Sequence, residues 1–385
     1  MLPLLLALQL ATPQHDALRY DITLVPSDTG THLLGEAETT WRLTSADPVG
    51  VRLDSAMRVV RVLVDGKPNT RLSRTMYGRS TEDVVVPHQK RAGDSITTRI
   101  RYHGLAHAGA KVGANRSGER IFFASASGDS ARLWLPVTEA IAFDRAATSV
   151  RVQAPLGHRV IAAGALERID TLPYGRAAWQ YRMDAPAPVA AIAAASGRYQ
   201  VRTLAPGGCA GCPPVEIWSY GNGEATPPAY QGLGAMLALY AGHAGRFPYG
   251  RLAYVEAPVG SPVAAPGIVF VPEGRLAGGA VDSALALETA RQWFGVALSP
   301  AGEDDRWITD GLASFLASLR RESEGESPMH RLRAALGDSV FFAGLLRFTA
   351  GHMHEPVTRA DFLGAMSAAA GRDLDRDLDR LRRGR

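Results

Sequence analysis

Glu288 and Asp310 are the carboxylates in this 385-residue chain whose neighbours most suggest chemistry. Glu288 stands in the stretch LETARQWFG, residues 287–295, whose spacing is helical. Asp310 follows in RWITDGLASF, residues 306–315. A carboxylate beside a bound metal ion can take the proton from a metal-activated water. A metal held largely by one helix requires two imidazoles at i and i+4, one turn apart on the same face. Positions 287 and 291 have that separation, but Leu287 and Arg291 occupy them. Leucine has no donor atom, and arginine is a permanent cation. Without a metal, two carboxylates can still share acid and base work if their separation suits it. No carbohydrate- or phosphate-binding signature accompanies this pair, so that reading ranks low.

Other candidates carry less. Cys209 and Cys212 are the only cysteines, in PGGCAGCPPVEIW. They can be read as half a zinc site, a redox pair or a local disulfide. No second ligand pair lies nearby in sequence, and the setting is a Gly/Pro loop. The disulfide is therefore the preferred reading. His352, His354 and Glu355 in GHMHEP read as residues of a loop between helices. His103 and His107 in YHGLAHAG likewise read as loop residues.

The elements that must position these groups fall into two styles. Residues 17 to about 200 read as strands. In LRYDITLV, Leu18, Tyr20, Ile22 and Leu24 alternate with polar neighbours, the mark of a half-buried strand. VVRVLVDGKP places Asp65-Gly66 at a hairpin turn. From Asp282 onward nearly everything is helical in spacing, over 282–296, 310–322, 328–336, 339–351 and 359–370. Between the two lie a helical segment before Pro248 and two strands, GRLAYVEAPVG and PGIVFVPEG.

Composition limits the classes available. A hydrophobic fraction of 46% and a charged fraction of 21% suit a globular protein of two or three domains. The net charge of +4 comes almost wholly from arginine, without basic clusters interleaved with aromatics. Nucleic-acid binding is not expected. Residues 2–11 form an apolar run followed by small and polar residues, too short to span a bilayer. Residues 1–14 are read as a signal peptide, implying export to the periplasm or the extracellular space. No other stretch is apolar enough to predict a membrane span.

The residues 287–295 and 306–315 together resemble the M1 family of zinc aminopeptidases. That family shows HExxHQWFG, eighteen residues, and a ligand Glu in a WLNEGFA-type segment. Here eighteen residues, 292–309, separate Arg291 from Asp310. ARLWLPV, FPYGRLAYVEAP and the C-terminal helices are also similar to the family. The resemblance implies an α+β multidomain fold. Residues 15–205 would form a saddle-like β-domain. Residues 206–385 would form a shortened, thermolysin-like, mainly helical catalytic-type domain.

The resemblance also marks what has changed. Leu287 and Arg291 stand at the zinc histidines, and Asp310 at the ligand glutamate. Ala264 falls on the acid that holds the substrate amine, and Ser127 near a second such acid. The family's transition-state tyrosine has no counterpart, since no Tyr follows Tyr254. Only Glu288, the general base, survives among the catalytic groups. The family's zinc is thus expected to lack its ligands. The resulting expectation is a catalytically inactive pseudo-peptidase with a binding or scaffolding role for peptides or a partner protein. The alternative is an active metallo-aminopeptidase with zinc ligands elsewhere. Arg291 is expected to occupy the metal's space and to pair with Asp310 and Glu288.

Overall fold

A computed structural model describes residues 15–71, 73–77, 81–138, 143–205, 209, 211–220, 231–276, 281–321 and 326–377. The leader read at residues 1–14 lies outside the described residues. Among the described residues, no helix is long and apolar enough to cross a membrane.

The first domain is built on an eight-stranded sheet. Its order runs Ala165–Leu172, Arg176–Pro188, Arg145–Pro155, Asp16–Pro26, His32–Arg42, Ser95–Leu105, Met57–Val64, Lys67–Pro68. A four-stranded and a three-stranded sheet pack with it around one core that includes Trp41, Trp134, Tyr102 and Tyr181. Alternation along Asp16–Pro26 buries Tyr20, Ile22 and Leu24 as expected from the sequence. Leu18 is only half-buried, because a bulge between Ala17 and Arg19 shifts the register and turns Ala17 inward instead. Asp65 and Gly66 both take positive φ, 48° and 77°, the backbone of a tight two-residue hairpin.

The sequence led to the expectation of a mainly helical second domain containing two strands, but the domain is organised around a larger sheet. A five-stranded sheet runs through its centre, in the order Tyr199–Leu204, Val215–Tyr220, Leu252–Ala257, Ile268–Pro272, Val263–Ala265. The inner three strands are parallel and the two edges antiparallel. Tyr199–Leu204 therefore belongs to this sheet, although a boundary after residue 205 would assign it to the first domain. Every residue of Leu252–Ala257 is buried, as a strand covered on both faces requires. One face carries helices α1 (Gln231–Ala244), α2 (Ser283–Ala290), α3 (Arg306–Ser318), α4 (Pro328–Leu336), α5 (Asp338–Gly351) and α6 (Arg359–Ala370) in a common core. The other face meets the first domain. Val255, Ile268 and Phe270 pack there with Phe123, Ile161 and Ala195.

The helix expected over 282–296 ends early, at Ala290. The chain then widens into a turn, with Val296 N–H bonding Arg291 O, Ala297 N–H bonding Gln292 O and Leu298 N–H bonding Trp293 O. Gly295 takes φ +121° in this turn, a conformation a side chain would strain. The helix expected over 310–322 is shifted instead, beginning at Arg306 and ending in a 3-10 turn at Arg321.

The domains are also tied by Arg145. Its guanidinium donates to Pro186 O at 2.7 Å, His354 O at 2.9 Å and the Ser299 hydroxyl. Beside it, burial and nearby Asp16 push the Asp144 carboxyl up to about 7, against hydrogen bonds from Thr138 and Ala17. Folded chains then hold this proton longer than unfolded ones. Its stabilising effect is present below the ordinary value of 3.8 and is lost as pH rises through about 7. Asp144→Asn is expected to flatten that fall and to stabilise the chain at pH 8 by at most about 4 kcal/mol. Urea titrations across this pH range check it, and an unchanged pH profile would refute the assignment.

Candidate functional site

Helix α2 starts where Asp282 accepts the Leu285 N–H at 2.9 Å, an N-cap. Leu285, Ala286, Thr289 and Ala290 face the core, which turns Glu288 toward the gap between the domains. Arg291 closes the helix with φ −61° and ψ −17°, its N–H still bonded to Leu287 O. Arg291 and Glu288 therefore share a face, and α3 brings Asp310 across from them.

The Arg291 guanidinium joins all three. Its Nε donates to Glu288 Oε1 at 3.2 Å, and its Nη1 donates to Asp310 Oδ1 at 2.8 Å. The other Glu288 oxygen, Oε2, accepts the backbone N–H of Ala264 at 3.0 Å. Glu288 thus links α2 to the edge strand Val263–Ala265 as well as to Arg291. The side chains of Arg291, Glu288 and Asp310 are 30%, 16% and 51% exposed. Burial raises the Glu288 pKa above the ordinary glutamate value, against the lowering effects of Arg291 and the Ala264 N–H. Burial opposes the Arg291 charge, but its bonds to Asp310 and Glu288 outweigh that and raise its pKa. The two directions are compatible, because Glu288 also feels the Asp310 charge and one cation is divided between two carboxylates.

The surrounding QWFG residues hold the frame. Buried Gln292 clamps the hairpin between Ala265 and Ile268. Its Oε1 accepts the Gly267 N–H at 2.9 Å, and its Nε2 donates to Ala265 O and Ile268 O at 3.1 and 3.0 Å. Gly267 needs its freedom there, with φ +70° and Arg251 O only 2.7 Å from where a Cβ would sit. Trp293 and Phe294 are fully buried, and the Trp293 indole donates to Gly245 O at 3.0 Å.

A cleft of about 750 Å³ opens over this group. The first domain contributes Ser127, Gly128, Asp129, Pro188, Ala190 and Ala191 to its wall. Ala264, Glu288, Arg291, Arg306 and Asp310 line the opposite side. Of the residues singled out from sequence, Ser127, Ala264, Glu288, Arg291 and Asp310 meet in this one cleft. Leu287 does not line it and packs partly buried against the second-domain core. Cys209 and Cys212 form a disulfide in the loop before Val215–Tyr220. His103 lies in the strand Ser95–Leu105 rather than in a loop. His107 contacts Asp54 at 3.2 Å, and His352 contacts Glu355 at 3.4 Å. Sequence reading missed Arg306, whose guanidinium sits 5.2 Å from the Phe143 ring centre. It also missed the Gln292 clamp, for which a polar residue on an apolar helix face was the available signal.

These residues do not fit zinc. The three positions at which the motif places its ligands offer an alkyl chain, packed against the second-domain core, a guanidinium and one carboxylate. A catalytic zinc requires three nitrogen, sulfur or oxygen donors from the protein. Among the described residues, no group of three or more His, Cys, Asp or Glu converges as a metal site.

No family model and no curated protein matches the chain. Solved structures do match its fold. The M1 zinc metallopeptidase from Deinococcus radiodurans is 19% identical, with a TM-score of 0.75 over 96% of this chain and 93% of that one. A point mutant of that peptidase bound to the substrate Tyr-Ser-Ala is 20% identical, with a TM-score of 0.74 over 96% and 94%. A two-domain M1 zinc metallopeptidase mutant bound to L-arginine gives 19% and 0.74 over 96% and 93%. The chain thus has the multidomain fold of the M1 zinc metallopeptidases.

Proposed function

We propose that this chain is a degenerate M1-type protein that binds peptides in its interdomain cleft and does not hydrolyse them. One observation carries the reading: the guanidinium of Arg291, which stands where the M1 motif places a zinc histidine, bridges the general-base position Glu288 and the ligand position Asp310. A guanidinium can hold carboxylates together as a cation does. It has no ligand site for water and does not bring a water near neutral pKa. Glu288 is also committed at both oxygens, to Arg291 and to Ala264 N–H. General-base action alone contributes about 10²–10⁴-fold, far short of what amide hydrolysis needs. A retained cleft with this fold, and solved relatives described with a tripeptide or an amino acid bound, support peptide binding.

Aminoacyl-p-nitroanilides and free tripeptides, incubated with the purified chain and added zinc, are expected to show no turnover above a protein-free blank. Saturable, chelator-sensitive release of N-terminal residues would overturn the proposal and favour an active aminopeptidase. Export belongs to the same proposal, supported by the apolar run at residues 2–11 and by the paired cysteines. N-terminal sequencing of the mature chain checks it, and an intact Met1 in cytosol would sink it.

A further inference from the structure

We infer that the cleft takes a peptide stretch with no free terminal amine, either a blocked N-terminus or an internal segment, and that Arg291 donates to one of its carbonyl oxygens. This inference rests on the peptide-binding reading above and narrows it.

The charges lining the cleft carry the first half. Its described carboxylates are Asp129, Glu288 and Asp310. Each already lies against an arginine. Asp129 accepts from Arg132 Nε at 2.7 Å, Glu288 from Arg291 Nε, and Asp310 from Arg291 Nη1. An incoming ammonium group would lose hydration without meeting an unpaired anion, and would have to compete with resident guanidiniums. A carboxylate ligand fares no better, because the wall guanidiniums of Arg291 and Arg306 already pair with Glu288, Asp310 and Glu303. Ser127 and Ala264 are uncharged. The balance favours a ligand that is neutral where it touches this wall.

The unspent hydrogen-bonding capacity carries the second half. Arg291 Nη2 has no partner among the described residues, and the side chain is part-exposed at the cleft wall. Arg306 commits its Nε to Glu303 at 2.6 Å and also lines the cleft. Both arginines therefore present donors, and a peptide carbonyl is the neutral acceptor that matches them. The edge strand Val263–Ala265 offers the complementary group. Ala264 sends its N–H to Glu288, away from Ile268–Pro272, and in an antiparallel pair its C=O points to the same side. That carbonyl can accept an N–H from an extended ligand backbone.

The test compares two versions of one randomised tripeptide mixture, both C-terminally amidated, one with free amines and one N-acetylated. Each is titrated into the wild-type chain by calorimetry. The acetylated mixture is expected to bind at least as tightly as the free one. Arg291→Lys keeps a cation but loses the guanidinium arm, and is expected to weaken acetylated-peptide binding about tenfold. A tenfold or greater preference for free amines would overturn the inference and leave peptide binding standing. Unchanged affinity in a folded Arg291→Lys variant would remove Arg291 from recognition and overturn it too. Failure of both mixtures to bind the wild type would overturn the peptide reading itself.

Discussion

The triple variant Leu287→His, Arg291→His, Asp310→Glu is expected to take up one zinc ion per chain with a Kd below about 1 µM. Positions 287 and 291 remain one helical turn apart, because Arg291 keeps αR geometry and its N–H bond to Leu287 O. Asp310 already lies within hydrogen-bond reach of the residue at 291. Lengthening its side chain by one carbon, about 1.5 Å, lets the carboxylate reach a metal that replaces the guanidinium. Two imidazoles and a carboxylate then supply the three donors that a catalytic-type zinc site uses. The variant carrying only Asp310→Glu is expected to take up none. Calorimetry of the metal-free variants against zinc measures this directly. A folded triple variant that binds no zinc would show that the three positions do not converge as Arg291 indicates.

Arg291→Met is expected to destabilise the chain by about 2–3 kcal/mol at neutral pH. Most of that loss comes from Glu288, whose side chain is only 16% exposed and would keep the Ala264 N–H as its sole partner. The contact to Asp310, half in solvent, is worth at most about 1 kcal/mol. Losing the cation raises the Glu288 pKa further. A glutamate with a raised folded pKa contributes stability below its unfolded value and loses it as pH rises through the folded one. The deficit of the variant should therefore grow with pH and shrink in acid. Adding Glu288→Gln removes the stranded charge and is expected to recover part of the loss, read from a double-mutant cycle in urea. A cost below about 0.5 kcal/mol at neutral pH would mean that Arg291 does not hold the helices and the edge strand together.

Much of the site was legible because its information is local. The step from 287 to 291 is one turn of one helix, and the eighteen-residue interval to Asp310 specifies which neighbouring helix answers it. Strands such as Asp16–Pro26 announce themselves through alternation. What sequence reading missed depends on contacts between distant segments. The end of α2 is set by the wide turn over 291–298, which has no period of its own. The bulge at Ala17 is a two-strand property, invisible in either strand alone. Glu288 is marked by the sequence as a general base and as a partner of Arg291. Its bond to Ala264 N–H depends on a strand 24 residues away in sequence. Gln292 belongs to the recognised QWFG frame, but its clamp on Ala265 and Ile268 follows only from how α2 lies against the sheet.

The central claim is that Arg291 stands in place of a metal. Elemental analysis of the purified wild-type chain, after incubation with zinc and dialysis, tests it most directly. The account predicts no zinc above that of the buffer. One zinc ion per chain, retained through dialysis and released by a chelator, would contradict it.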